Sequence, residues 1–144
     1  MSVINIAASG MTAAMARLNV SAQNVANSQT YGALGATAST PAGSPPAAGV
    51  APQAYAPLQL AQFSLPLSQG GGVQTQTTAS PNPYQTAYDP SASYANSQGL
   101  VAAPNVDPVT EALNQVESVD QFKASVNLFK IGEELDQTTL KLVS

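Results

Sequence analysis

The sequence predicts a mainly α protein whose N- and C-terminal helices pair as a coiled coil, with a small irregular or β-hairpin segment inserted between them. Two observations indicate this fold class. Both ends of the 144-residue chain lack proline and space their apolar residues helically, whereas all 11 prolines lie between Pro41 and Pro108. Seven of the eight acidic residues fall between Asp107 and Asp136, where the last helix is expected. The predicted parts are an N-terminal helix within 1–33, a Pro/Gly-rich linker with a small β region over 34–105, and a C-terminal helix within 106–144.

The first helix is predicted over about Val3 to Ala26. Its apolar residues alternate at spacings of four and three, which is the pattern of a coiled-coil seam. Such a seam forms a narrow stripe that suits one or two partner helices. Gly10 costs this helix roughly 1 kcal/mol relative to alanine, so it indicates tight packing or a bend at that point. The seam consists of Ile4, Ala8, Met11, Met15, Leu18, Ala22 and Val25.

The last helix has a well-marked start. Asp107 is a predicted N-cap because its carboxylate can accept the free N–H groups of the first turn, and Pro108 suits the first helical position. The helix is expected to run to about Leu142 with two apolar stripes, which indicates more than one partner. One stripe holds Val119, Phe122, Val126 and Phe129, and the other holds Leu128, Ile131, Leu135, Thr138 and Leu142. The first helix could cover one stripe, and another copy of the chain is the simplest partner for the other.

The middle of the chain begins with a low-complexity stretch from Gly35 to Ala54, which reads as a disordered or polyproline-like linker. Leucine and phenylalanine then alternate from Leu58 to Leu67, as they do in a half-buried strand. Three glycines, 70–72, follow as a turn before the weaker alternation of 73–77. Pro66 restricts the first strand to a sheet edge or a bulge. A small β-hairpin between the helices is therefore predicted.

Composition excludes several classes of function. The net charge of −4 and the four basic residues cannot supply the face that nucleic-acid binding needs. The chain has neither histidine nor cysteine, which removes the commonest general base and the thiolate metal ligands. The cluster Glu133, Glu134 and Asp136 reads as a solvated helix face. We therefore expect no enzyme, cofactor, metal site or small-molecule substrate. The sequence has no stretch of 18 apolar residues, so no membrane span is expected, and its N-terminus carries no secretory signal pattern.

Several motifs resemble a known family. The N-terminal motif resembles the signature of flagellar axial proteins, which form the rod and hook, and it comprises Ile6 to Ala13, Arg17 to Val20 and Asn24 to Asn27. Later motifs are similar in order and spacing to the proximal rod branch of that family. They are Tyr55-Ala56, Gly71 to Val73, Tyr88 to Ser91, Gly99 to Val101, and Pro104 to Val109. Ala92-Ser93 and Phe122 to Ser125 depart from the usual pattern of that branch.

The resemblance implies a fold and a role. Rod subunits pair their terminal helices as a coiled-coil inner domain that stacks helically around an export channel, and their middle residues form a small outer β region. The implied partners are copies of the chain, other rod proteins and the flagellar type III export apparatus. The implied location is the periplasmic rod of the basal body, reached without a cleaved signal peptide. The alternative from a different class is a small secreted binding or adhesin-like module with a disordered centre.

Overall fold

The structure, a computed structural model, describes residues 3–35 and 51–143. Its elements in chain order are α1 (Val3–Ala26), β1 (Leu58–Ser64), a short 3-10 turn (Leu67–Gln69), β2 (Val73–Ala79), β3 (Tyr84–Tyr88), β4 (Leu100–Pro104) and α2 (Pro108–Val143). Two terminal helices with a small β region between them confirm that part of the predicted fold class. The predicted linker from Gly35 to Ala54 falls largely on residues 36–50, which lie outside the described residues.

The chain divides into two compact units, each of which is described by itself. The first unit comprises Met1–Ala22, Gln59–Thr78 and Pro108–Ser144. The second comprises Gln23–Leu58 and Ala79–Asp107. Each unit is therefore assembled from segments that are far apart in the sequence.

In the first unit, α1 and α2 lie side by side in antiparallel directions. Four contacts pair rising residue numbers on α1 with falling numbers on α2: Ile4 with Gly132, Gly10 with Ser125, Arg17 with Glu117, and Ser21 with Glu111. The Ser21 hydroxyl donates a 3.0 Å hydrogen bond to the Glu111 carbonyl oxygen. The Arg17–Glu117 ion pair spans 3.3 Å between partly exposed side chains, where such pairs contribute little to stability.

The predicted first hairpin is confirmed by the pairing of β1 with β2. β1 ends before Pro66, which has no N–H to donate to the ladder. The glycines 70–72 all have positive φ (103°, 65° and 95°), so they form the turn that was expected. The Leu65 N–H then donates to the Gly72 carbonyl oxygen at 2.9 Å. The Ser9 hydroxyl of α1 accepts a 3.1 Å hydrogen bond from the Val73 N–H, which ties the start of β2 to the helix.

A second hairpin, not predicted from the sequence, forms the centre of the second unit. β3 and β4 pair antiparallel, with Thr86 opposite Ala102. On its other side, β4 makes an isolated bridge to Gly32 through two backbone hydrogen bonds of 2.9 and 2.8 Å. Residues 101–104 of β4 are consequently all buried, and Val101 is among the largest fully buried side chains of the described residues.

The carboxamide of Asn24, near the end of α1, holds the start of β1 in the second unit. Its oxygen accepts from the Leu58 N–H at 2.9 Å, and its nitrogen donates to the Leu58 carbonyl oxygen at 2.9 Å. The Tyr55 hydroxyl donates to the same carboxamide oxygen at 3.1 Å. A single side chain thus satisfies a strand residue much as a neighbouring strand would, which explains why a polar residue that is 2% exposed is tolerated here.

Candidate subunit-packing surface

The contact between α1 and α2 is built from small residues. On α2, Ser118, Ser125 and Gly132 recur every seven residues, which keeps them on one face of a helix that packs on a partner. On α1, Ala7 and Ala14 are buried. The buried Ser118 hydroxyl donates to the Asn114 carbonyl oxygen one turn earlier, so it leaves no unpaired polar group in the contact.

Two glycines show how closely the helices approach each other. A Cβ atom at Gly10 would lie 2.7 Å from the Ser125 Oγ, and one at Gly132 would lie 2.9 Å from the Ile4 Cγ1. Both distances are shorter than ordinary van der Waals contact. Tight packing at Gly10, one of its two sequence-based explanations, is therefore confirmed.

The buried line on α1 lies one residue N-terminal to the predicted seam. Ala7, Gly10 and Ser21 face inward, where the prediction placed Ala8, Met11 and Ala22. Met15 is 55% exposed and Val25 is exposed, while Ile4, Met11 and Leu18 are half-buried. The physical reason is size, because helices at this separation accommodate glycine, alanine and serine between them but not methionine or leucine. Apart from Ile4, which contacts Gly132, the seam residues thus border the helix pair and do not fill it.

The two predicted stripes of α2 differ in exposure. Phe122, Val126 and Phe129 are half-buried, whereas Val119 at their N-terminal end is exposed. The other stripe, which we call the outer stripe, is exposed along its whole length and consists of Leu128 (45%), Ile131 (52%), Leu135 (55%), Thr138 and Leu142 (82%). Further exposed apolar residues of α2 are Val109, Leu113, Val116 and Leu140.

Near its C-terminal end, α2 is exposed on every side over residues 133–142. Among residues 108–142, Gly132 is the last buried one, and it contacts Ile4 near the start of α1. Residues 133–142 are all exposed. The acidic residues Glu133, Glu134 and Asp136 lie here, as a solvated helix face would. Four of the five residues of the outer stripe therefore lie at or beyond the end of the intramolecular helix pair.

The start of α2 falls where the sequence placed it. The helix begins at Pro108, directly after the predicted cap Asp107, and it carries Glu111 in its first turn. Acidic side chains in this position stabilise the positive end of the helix dipole. The capping role of Asp107 itself stays a prediction.

Within 3–35 and 51–143, no three acidic residues stand close enough together to hold a metal ion. Among the same residues, neither helix is long and apolar enough to cross a membrane. The exposed apolar residues of α2, together with the bordering seam on α1, are therefore the candidate packing surface of the described residues.

Comparisons with known proteins agree with this description. The C-terminal family model of the flagellar basal body rod FlgEFG proteins matches residues 97–142, which cover β4 and nearly all of α2. The chain is 29% identical to the flagellar basal-body rod protein FlgC of Buchnera aphidicola from Acyrthosiphon pisum, with 99% of this chain and 96% of the relative covered. It is 29% identical to the protein of the same name from Yersinia enterocolitica over the same shares, and 28% identical to that of Bacillus subtilis over 85% and 84%.

Proposed function

The chain belongs to the family of flagellar basal-body rod proteins, which are structural subunits, and from that premise we propose that it self-assembles through its terminal helices into the axial rod around the export channel. In this proposal α1 and α2 act as a coiled-coil pair whose outward apolar residues contact other copies and other rod proteins. The exposed outer stripe of α2 is the observation that carries the proposal.

The composition of the interior supports assembly as the source of much of the stability. The buried apolar residues of α1 are alanines, and Ser21 and Ser118 are among the largest fully buried side chains of the described chain. Alanine gains little from burial, whereas fully burying a leucine or isoleucine contributes about 1.5–3 kcal/mol. Covering the half-exposed outer stripe would therefore add on the order of 5 kcal/mol per subunit. A large apolar stripe on a protein surface usually marks an interaction site.

We further propose that the subunit reaches the periplasmic rod through the flagellar type III export apparatus without cleavage of a signal peptide. Protein isolated from basal bodies is then expected to begin at or next to Met1, and intact-mass spectrometry measures this directly. Removal of a segment the length of a signal peptide would contradict this route and favour the secreted binding module, for which no structural observation speaks.

The assembly proposal is tested by placing charge on the outer stripe. The double variant Ile131→Asp/Leu135→Asp is expected to be made and exported but to be absent from rods, because the apolar contact with a neighbouring subunit would require burying two carboxylates. The measurement is complementation of a strain that lacks the chain, with immunoblots of exported protein and electron microscopy of isolated basal bodies.

The control is Lys130→Asp/Gln137→Asp, which also places two aspartates on the exposed part of α2 but off the outer stripe, and which makes the larger change in charge because it also removes a lysine. This control is expected to support rod formation. Normal rods from the stripe variant would mean that the stripe is not a subunit contact. Equal loss from both variants would mean that added negative charge, and not the stripe, is responsible.

A further inference from the structure

β3 pairs with β4 on one side only. Ala102, which lies opposite Thr86, exchanges its backbone hydrogen bonds with Gly32 and therefore makes none to β3. Hydrogen-bonded and non-bonded pairs alternate along an antiparallel ladder, so the N–H and C=O groups of Tyr84, Thr86 and Tyr88 all point away from β4. Within the described part of the chain, no backbone or side-chain group bonds to these outward groups. β3 is thus an open edge strand.

Within its five residues, β3 carries no charge, proline or bulge that would prevent strand pairing. Natural edge strands are commonly protected by charges, prolines or bulges. The sequence of β3 is Tyr-Gln-Thr-Ala-Tyr, without charge, glycine or proline, and tyrosine and threonine favour strands. Both Tyr88, at 72% exposure, and Thr86 are exposed. Pro83 and Pro90 flank the strand, so they confine pairing to about these five residues.

The strand is complementary to itself. When two copies of β3 lie antiparallel about Thr86, the three outward-bonding positions of one copy meet the three of the other. Thr86 then faces Thr86, and each Tyr84 faces the Tyr88 of the second strand. Threonine–threonine and aromatic pairs directly opposite each other stabilise antiparallel sheets. No other register about this edge brings all three outward positions into bonded pairs.

We propose that the outer edge of β3 pairs with the same edge of a second copy of the chain, which joins the two hairpins into one continuous four-stranded sheet. The neutral, self-complementary strand identifies the partner as a copy of this chain. The pair is two-fold symmetric and therefore closed, whereas the contacts that build a helical array are head-to-tail. It is a dimer of free chains, distinct from the rod contact of the outer stripe, so its test stands apart from that of the proposed function.

Cysteine cross-linking tests the register. The chain has no cysteine of its own, so each introduced thiol reports on one position. Thr86→Cys places a cysteine opposite itself in the pair, where the Cα separation of about 5.5 Å suits a disulfide. The purified variant is expected to form disulfide-linked dimers under mild oxidation. Gln85→Cys is the matched control, because residue 85 would face Ala87 of the second copy and not itself. Equal cross-linking rates for the two variants would overturn the proposal.

Sedimentation of the purified chain tests the affinity. Thr86→Lys is expected to weaken dimerisation by at least about tenfold, since two like charges would face each other across the pair. Gln85→Lys adds the same charge to the other face of β3, away from its own counterpart, and is expected to change the dimer constant less. The tyrosine circular dichroism of both variants checks that the hairpin is folded. A wild-type chain that sediments as a monomer at every concentration, or a Thr86→Lys chain that dimerises as the wild type does, would refute the pairing.

Discussion

Replacing Gly32 with alanine is expected to disrupt the second unit. A Cβ atom at this position would fall on the backbone nitrogen of Ala54 and the carbonyl carbon of Gln53, and 2.6 Å from the Pro52 oxygen. All three obstacles are backbone atoms, so no side-chain rotation can relieve the clash. Either Gly32 or the segment 52–54 must move.

The magnitude follows from the hydrogen bonds on each side of Gly32. If Gly32 moves, its two bonds to Ala102 are lost; if the segment moves, the bonds from Ala33 to Pro52 and from Tyr55 to Thr30 are lost. In both cases two backbone hydrogen bonds disappear, at about 1 kcal/mol each. Residual overpacking adds about 1–3 kcal/mol. The expected loss in the free energy of unfolding is therefore about 3–5 kcal/mol, a large part of what holds a small domain together.

Tyrosine fluorescence is the appropriate probe for this measurement. All five tyrosines lie in the second unit and the chain has no tryptophan, so the signal reports on that unit alone. Urea titration compares Gly32→Ala with the control Gly35→Ala. At Gly35 no atom of the described residues lies within 4 Å of the added Cβ, and only its positive φ of 79° opposes alanine, at a cost of about 1–2 kcal/mol. A Gly32→Ala midpoint no lower than that of Gly35→Ala would refute the close-approach reasoning.

Two further substitutions test polar contacts. Asn24→Leu is expected to destabilise the second unit by about 2–4 kcal/mol, because the N–H and C=O of Leu58 would lose their partner. The control is Asn27→Leu, since the Asn27 carboxamide donates to the Gln23 carbonyl oxygen one turn earlier on the same helix. Urea titrations that give equal losses for the two variants would contradict this role of Asn24. Asp107→Ala is expected to lower helix stability by about 1 kcal/mol through loss of the N-cap, and unchanged helix content and unfolding midpoint by far-ultraviolet circular dichroism would mean that the cap is placed wrongly.

The helices could be predicted well from the sequence, but their inward faces could not. Apolar spacing and the Asp107-Pro108 pair located both helices to within a residue or two of their observed ends. The same apolar spacing placed the seam of α1 on Met11, Met15 and Leu18, although α2 packs one residue away on alanine, glycine and serine. Hydrophobicity marks a face that becomes buried somewhere, and it cannot separate a contact within the chain from one between chains. Residue size is the signal that could have distinguished them.

The second hairpin escaped prediction for a different reason. β4 reads Leu-Val-Ala-Ala-Pro, and alanine and proline are depleted in strands, so local propensity argues against it. It becomes a strand because Gly32 and β3 flank it on both sides, and these partners lie far from it in the sequence. β3 has the composition of a strand, but the 11 residues between Tyr88 and Leu100 hide the hairpin that it forms. The first hairpin, with its glycine turn, was by contrast fully local.

The small size of Ser118, Ser125 and Gly132 has a consequence for how the two helices find their alignment. Because these small residues recur every seven positions, a slide of seven residues along α2 would still present a small residue to α1 at most positions. The alignment must then be fixed by contacts that occur once, namely the hydrogen bond from the Ser21 hydroxyl to the Glu111 carbonyl oxygen and the ion pair of Arg17 with Glu117. The alignment of α1 with α2 therefore depends on a few polar contacts and not on the shape of the interior between them.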